Sequence, residues 1–191
     1  MNRWLPKLGM RDLDEHTGEM PVVLAPKPIV FVGFYRHASS ILHDLLALDH
    51  NLRDQISVID INPHSREGLS RLGVANRYGD VSHIDTLHHA NASHAAVLVC
   101  TLPDAILRGT TNLKLLRQLR LMAPHARIIV TSDSLRDAAV LYAEGAAFVY
   151  LPRLMGAPEV AAVIQAALAG DVEEHRHEAV AALRERDEVL P

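Results

Sequence analysis

Cysteine is almost absent from this chain of 191 residues, in which Cys100 is the single example. One cysteine cannot form an intramolecular disulfide or a cysteine-rich zinc cluster, so the sequence excludes both and is typical of the reducing cytoplasm. Long apolar runs are missing as well. No stretch reaches the roughly 18 apolar residues that cross a bilayer, and the N-terminus lacks the apolar core of a signal peptide. We therefore expect a soluble, cytoplasmic chain.

Lysine and aromatic residues are also scarce. The chain contains three lysines and eight aromatic residues, and its formal net charge is −4. A general nucleic-acid binder needs a basic face, so these figures argue against a nucleic-acid partner. Because aromatic side chains are few, Val, Ile, Leu and Ala must fill the core of a chain that is 49% hydrophobic, which favours α/β packing.

Strand-like and helix-like segments alternate through the middle of the chain. Short β-branched or aliphatic runs, each bounded by turn residues, occur at 28–33, 55–61, 74–80, 94–101, 126–133 and 146–152. Segments with helical spacing of apolar residues follow them at 37–50, 65–73, 83–91, 104–122, 134–145 and 158–170. This alternation predicts right-handed βαβ units and a mainly parallel, six-stranded sheet with helices on both faces.

Composition divides the chain into three parts. Residues 1–27 mix charges with proline and glycine and predict a linker or lead-in. Residues 28–170 carry the regular alternation and form the predicted domain. Residues 171–191 predict a charged helical tail that is solvated or contacts a partner.

The segment "VGFYRHASS", residues 32–40, resembles a phosphate-binding turn that has lost glycines. The dinucleotide fingerprint requires glycine, or a tolerated alanine, at three places. Gly33 occupies the first place, Tyr35 the second and Ala38 the third. A tyrosine ring at the second place would occupy space where a pyrophosphate normally lies.

Other groups of the same turn compensate for the missing glycines. The helix that starts near His37 offers free N–H groups, Ser39 and Ser40 offer hydroxyls, and Arg36 adds a positive charge. Two interpretations remain open with about equal weight. Either the turn still binds an anion, or the ring of Tyr35 fills the old site and the turn is inert.

Polar residues end three further predicted strands, at the edge where ligands bind open parallel sheets. Asp60 lies 22 residues after Ala38, where an acidic residue accepts hydrogen bonds from ribose hydroxyls, although a capping aspartate is the alternative. Gly79 and Asp80 end the third strand and Thr101 ends the fourth. On spacing alone, helix capping by the nearby Ser82 and Asp104 is the preferred interpretation of these two strand ends.

The motifs "VGFYRHA", "VIDINP", "YGDVSHIDTL" and "VLVCTLPD", in this order, resemble the TrkA-N or RCK N-terminal domains of potassium channels and cation transporters. The resemblance covers residues 28–150 and is closest to the form that follows the membrane part of cation:proton antiporters. It implies a Rossmann-like doubly wound fold, usually dimeric, that binds an adenine nucleotide and regulates a membrane transporter. The domain would then lie at the inner face of the cell membrane.

The same resemblance implies roles for individual residues. Gly33, Arg36 and Ala38 match the phosphate turn, Asp60 the ribose acid and Asp80 the adenosine side, and Thr101 faces the ligand. With the rest of these motifs, the candidate ligand-binding residues are Gly33, Tyr35, Arg36, His37, Ala38, Ser39, Asp60, Asn62, Gly79, Asp80 and Thr101.

The same comparison of motifs limits which nucleotide and which partners we expect. The tyrosine at the second glycine position favours a mononucleotide such as AMP, with ADP, ATP and NAD(H) as alternatives. The implied partners are a second copy of the chain and a membrane domain that moves K⁺ or Na⁺ against protons. That membrane domain belongs either to the same parent chain or to a separate subunit.

Other protein classes fit the residues less well. A response-regulator receiver needs an acidic pair after its first strand and a lysine after its fifth, but here Pro152 stands at the lysine position. A dehydrogenase needs a substrate domain, and too little chain follows residue 150, so we expect no enzyme. The main alternative is a ligand-free dimerisation module that associates through the apolar helices predicted at 104–122 and 158–170.

The twelve histidines do not form a metal-binding pattern. His88 and His89 are adjacent and point about 100° apart on a helix, and "HRH" at 175–177 fails the i, i+4 spacing of helical zinc pairs. A further hypothesis is that His37, beside the phosphate turn, changes its protonation near neutral pH and so acts as a switch for ligand binding.

Overall fold

A single parallel sheet organises the structure, a computed structural model that describes residues 25–190. Its strands are β1 (Ile29–Val32), β2 (Ile56–Asp60), β3 (Ala75–Tyr78), β4 (Val97–Cys100), β5 (Arg127–Thr131) and β6 (Phe148–Tyr150). Their order across the sheet is β3-β2-β1-β4-β5-β6, and every pairing is parallel. The predicted six-stranded sheet is confirmed. Residues 1–24 of the predicted lead-in lie outside the described residues.

Helices connect the strands and continue beyond the sheet. They are α1 (Arg36–Leu48), α2 (Pro63–Arg71), α3 (Ile84–His89), α4 (Asn112–Met122), α5 (Leu135–Ala143), α6 (Pro152–Ala169) and α7 (Val172–Glu185). Short 3₁₀ helices occupy His50–Gln55 and Ala92–His94. No helix in this part of the chain is long and apolar enough to cross a membrane.

The two faces of the sheet form two separate hydrophobic clusters. Successive side chains of a strand point to opposite faces, so Val30 and Val32 belong to one cluster and Phe31 to the other. The first cluster includes Leu116 of α4, and the second includes Leu42 of α1. Helices therefore cover both faces, as the alternation of segments predicted.

The helix predicted over 104–122 is shorter than expected. It begins at Asn112, and Thr111 caps it by accepting a hydrogen bond from the backbone N–H of Lys114. Gly109 adopts a φ of +73°, which a right-handed helix does not allow. Turn-forming residues thus outweigh the apolar spacing, and residues 101–111 form a loop at the carboxyl edge of the sheet.

Helices α6 and α7 form a hairpin that packs chiefly on itself. No residue of either helix is buried in the described part of the chain, although α6 contains 18 residues and is largely apolar. α6 also begins at Pro152, earlier than the predicted start at residue 158. The hairpin therefore carries apolar surface that the sheet does not cover.

Residues 186–190, the C-terminal segment, return to α1. The guanidinium of Arg186 lies 2.9 Å from the carboxylate of Asp44, and the Leu190 N–H donates to Ser39 Oγ at 2.8 Å. The hydroxyl of Ser40 donates to Glu188 at 3.0 Å. The predicted tail is thus a helix followed by an extended segment that contacts the sheet unit.

Candidate ligand-binding cavity

A cavity of about 560 Å³ opens at the carboxyl edge of the sheet. Its walls are the four loops that follow β1, β2, β3 and β4. The strand order reverses between β1 and β4, and this switch point is where open α/β sheets bind ligands. The volume falls within the range of about 300–1,000 Å³ that is usual for small-molecule sites.

Gly33 shapes the turn after β1. Its φ is +85°, and its N–H donates to the carbonyl of Ile59 at 2.8 Å. A Cβ at this position would lie 2.1 Å from Leu102 Cδ1. Both the left-handed conformation and the close approach of Leu102 therefore require glycine here.

The N-terminus of α1 follows directly. The helix begins at Arg36, and its first intrahelical hydrogen bond runs from the Ser39 N–H to the Tyr35 carbonyl, at 2.9 Å. The N–H groups of Arg36, His37 and Ala38 precede that bond and have no intrahelical acceptor. Such a helix end attracts anions through these donors and the helix dipole.

Tyr35 lines the cavity without closing it. Its half-buried ring packs against the first hydrophobic cluster. The Arg36 guanidinium carbon lies 5.6 Å from the centroid of that ring, within cation–π range. Because the cavity remains open beside Tyr35, a ligand can enter despite the loss of the second glycine.

Asp60 stands at the end of β2 and faces the cavity. Partial burial raises its pKa, while hydrogen bonds from Ser65 and from the backbone of Asn62, Ile61 and Phe34 oppose that rise. The Ser65 hydroxyl donates to Asp60 Oδ2 at 2.6 Å, which leaves Oδ1 free of side-chain donors among the described residues. That oxygen can accept a hydrogen bond from a ribose hydroxyl.

Asn62 also lines the cavity, and its side-chain oxygen takes part in a helix cap. Its Oδ1 accepts a hydrogen bond from the His64 N–H at 3.0 Å and so caps the start of α2. Pro63 at the first helical position completes this helix start. The structure therefore gives Asn62 a capping contact beside the cavity.

Gly79 and Asp80 form the wall that follows β3. A Cβ at Gly79 would lie 2.3 Å from a methyl carbon of Thr86, so this loop can approach α3 only with glycine. The Ser82 N–H donates to Asp80 Oδ1 at 2.8 Å, and this bond is the main reason that the pKa of Asp80 is lowered. Asp80 therefore presents a carboxylate to the cavity.

Several predicted residues lie near the cavity without lining it: Gly33, Arg36, His37, Ala38, Ser39 and Thr101. Ser39 instead binds the C-terminal segment. The His37 ring meets Tyr150 edge-on at 5.5 Å, and its Nδ1 is buried without a partner among the described residues. The buried Thr101 hydroxyl likewise has no partner there.

The loop after β4 supplies wall residues that sequence reasoning missed. They are Leu102, Ala105, Ile106, Leu107, Arg108 and Thr110. Residues from 104 onward were predicted as a helix, and Leu102 precedes that helix, but none of these wall residues was a candidate. Pro103 and the dipeptide Gly109–Thr110 are turn signals that could have indicated a loop.

The fold and the cavity together define a class: an α/β domain of the Rossmann type with an open site at its switch point. The family follows from comparison with known proteins. The TrkA-N domain family matches residues 29–152. The chain therefore belongs to the TrkA-N domain family, which confirms the resemblance seen in its motifs.

One curated relative is the glutathione-regulated potassium-efflux system protein KefC of Escherichia fergusonii. It is 30% identical over 119 residues, which make up 62% of this chain and 17% of the relative. This chain thus spans less than a fifth of that protein's length.

Solved structures share the fold. The TrkA-N domain of the inner membrane protein YbaL from Escherichia coli has a TM-score of 0.61 at 18% identity, covering 73% of this chain and 97% of that one. The AMP-bound Kef CTD of Shewanella denitrificans has a TM-score of 0.53 at 19% identity, covering 82% and 90%. The GsuK channel bound to NAD has a TM-score of 0.53 at 18% identity, covering 73% and 24%. At these identities the likeness concerns the fold.

Proposed function

We propose that this chain is a non-enzymatic regulatory domain that binds an adenine nucleotide and modulates a monovalent cation/proton antiporter or transporter. The observation that carries the proposal is the open cavity beside Asp60 and the N-terminus of α1. A nucleotide needs both an anion site and an acceptor for its ribose. The N–H groups at the start of α1, beside the cavity, can supply the first, and Asp60 in the cavity wall can supply the second, at one switch point.

The arrangement suggests how the ligand lies. Its phosphate is placed near the free N–H groups of Arg36, His37 and Ala38, and its ribose hydroxyls donate to Asp60. The base lies against Ile61 and Ile106, which are 52% and 42% exposed although both are large and apolar. Covering these two side chains would remove apolar surface from water and so favour binding.

AMP is the favoured ligand, with ADP, ATP and NAD(H) as the other candidates. Tyr35 borders the cavity at the position where the fingerprint has its second glycine, so a pyrophosphate has less room than a single phosphate. The AMP-bound Kef CTD shows that a chain of this fold takes AMP, and the NAD-bound GsuK channel shows that one takes a dinucleotide. Direct comparison of the ligands must therefore rank them.

A regulatory rather than catalytic role is supported by the proteins that this chain resembles, which include a glutathione-regulated potassium-efflux protein and a channel bound to NAD. The match to a potassium-efflux protein supports a transporter as the partner, within the same parent chain or as a separate subunit. Such a domain works at the cytoplasmic face of the membrane.

Self-association is the second part of the proposal. Helix α6 exposes several large apolar side chains, among them Met155, Val160 and Ile164, each more than half exposed. A second copy of the chain that covers this surface would form a homodimer. Ligand binding can regulate a transporter through such a dimer only if the nucleotide prefers one of two dimer arrangements.

A thermal-shift screen with AMP, ADP, ATP, NAD and NADH tests the nucleotide. A ligand at 100 times its dissociation constant adds about 2.7 kcal/mol to the free energy of unfolding, which gives a readily measured shift. We expect the largest shift from AMP and its loss in Asp60→Ala. Asp85→Ala, an exposed aspartate outside the cavity, is the matched control and should keep the shift. If no ligand shifts the wild-type protein, the alternative of a ligand-free dimerisation module replaces this proposal.

A further inference from the structure

The cavity is short of positive charge for a phosphate ligand. Two of its lining side chains, Asp60 and Asp80, are carboxylates, and among residues 25–190 Arg108 is the one lysine or arginine that lines it. Two carboxylates repel a phosphate unless a cation or several donors compensate. Arg108 is therefore the side chain that can offset the negative charge of the two carboxylates when a phosphate binds.

The Arg108 side chain is available for a ligand. It is exposed, and it forms neither a hydrogen bond nor an ion pair within residues 25–190. Arginine pairs with phosphate through two parallel N–H donors, so an unpaired guanidinium beside a cavity suits a phosphate. Arg36 differs, because its guanidinium stacks on Tyr35 and does not line the cavity.

The loop that carries Arg108 is held at both ends. Asp104 Oδ1 accepts hydrogen bonds from the backbone N–H and the side-chain amide of Asn112, at 2.7 and 2.8 Å. The same amide donates to the Leu102 carbonyl at 2.8 Å. These bonds fix the loop against α4, so that less conformational freedom is lost when Arg108 binds a ligand.

A second group in the loop also points to a ligand. Thr110 lines the cavity and is 9% exposed, and its hydroxyl has no hydrogen-bond partner among the described residues. Buried hydroxyls in native proteins nearly always have a partner. An oxygen of a bound ligand would supply the partner that this hydroxyl lacks.

We propose that Arg108, assisted by the Thr110 hydroxyl, binds the phosphate of the nucleotide and makes the cavity select nucleotides over nucleosides. This inference rests on the proposed nucleotide-binding function. The loop after β4 then contributes the charge that the glycine-poor turn does not bring into the cavity. The N-terminus of α1 and the loop would contact the same phosphate from two sides.

Calorimetric titration of AMP and of adenosine into the same proteins tests the inference. We expect Arg108→Ala to weaken AMP binding about tenfold or more, the usual effect of losing a hydrogen bond to a charged group, and to leave adenosine binding unchanged. Thr110→Val should weaken AMP binding about fivefold. Arg136→Ala removes the same charge from an exposed arginine of α5 outside the cavity and should change neither affinity.

The outcomes separate this inference from the proposed function. If the wild-type protein binds AMP and Arg108→Ala binds it equally well, Arg108 is not the phosphate ligand and the proposed function stands. If Arg108→Ala loses AMP and adenosine alike, its role is in shaping the loop and the inference is wrong. If the wild-type protein binds neither AMP nor any other adenine nucleotide, both fail.

Discussion

Helices α4 and α6 are both rich in leucine, valine or other apolar residues, but their surroundings differ. In the 11 residues of α4, Leu115, Leu116 and Leu119 are completely buried against the sheet. In the 18 residues of α6, no side chain is buried in the described part of the chain. The difference teaches that apolar content does not decide burial. A helix is buried by the sheet when its apolar residues form one stripe, whereas apolar residues all round a helix leave surface for another partner.

The contacts that hold the two regions differ in extent as well. The sheet unit is held by two buried hydrophobic clusters. The hairpin of α6 and α7 has no buried residue in the described part of the chain, and the C-terminal segment anchors it. In that segment Arg186 pairs with Asp44, while Val189 and Leu190 pack against the second cluster. The sheet unit therefore contains most of the buried apolar surface and carries most of the stability.

The largest expected effect lies in the sheet unit. Leu116→Ala should lower the free energy of unfolding by about 2–5 kcal/mol, because it leaves a cavity in a fully packed core. Leu121→Ala on the same helix removes a side chain that is 86% exposed and should change it by about 0.5 kcal/mol or less. Urea unfolding measures both values. Equal losses in the two variants would mean that α4 is not packed as described.

An intermediate effect is expected in the hairpin. Val160→Asp should raise the dissociation constant of the proposed homodimer about tenfold or more, because it would bury an unpaired carboxylate in the interface. Sedimentation velocity over a concentration series measures this constant, with Leu121→Asp as the exposed control on α4. A wild-type protein that remains monomeric throughout the series, or a dimer indifferent to Val160→Asp, would contradict an interface on α6.

The smallest effect concerns the pH dependence of stability. The pKa of Asp60 is raised in the folded state, so the folded protein binds its proton more tightly than the unfolded chain does. Its favourable contribution is complete below the ordinary pKa of 3.8 and is lost as the pH rises through the folded-state pKa. Asp60→Asn should therefore unfold at higher urea than wild type at neutral pH, but not below pH 3.8.

A control variant in the hairpin shows the effect of removing a carboxylate that is exposed rather than partly buried. Glu173→Gln removes an exposed carboxylate of α7 that pairs with Arg176 at 3.3 Å. Urea midpoints from pH 3 to pH 8 can be compared for both variants and wild type. If Asp60→Asn is less stable than wild type at neutral pH, the carboxylate stabilises the fold and is not held at an energetic cost for binding.

Sequence patterns were sufficient to predict all six strands and most of the helices. The β-branched runs at 28–33 and 126–133 are continuous because both faces of a parallel strand are buried, and this makes them easy to recognise. Most of the loop, residues 104–111, was predicted as a helix because its apolar side chains imitate helical spacing. These side chains line a cavity, and a hydrophobic pattern cannot distinguish a cavity wall from a core.

The candidate site was predictable only in part. Asp60 and Asp80 could be named because strand ends of a parallel sheet meet at one edge. Arg108 and Thr110 could not, because their place in the cavity depends on the hydrogen bonds between Asp104 and Asn112. Ser39 illustrates the opposite case, since its hydroxyl is next to the predicted turn but binds a segment 151 residues away.

By itself the sequence determined the order of strands and helices, the parallel sheet, the glycine turn and the family, because these depend on local periodicity and on short motifs. Only the tertiary structure decided that the cavity beside Tyr35 stays open, that the loop after β4 brings Arg108 to it, and that α6 remains uncovered. The physical reason is that these features arise from contacts between segments far apart in the chain. Such contacts depend on packing in three dimensions, which residue spacing does not specify.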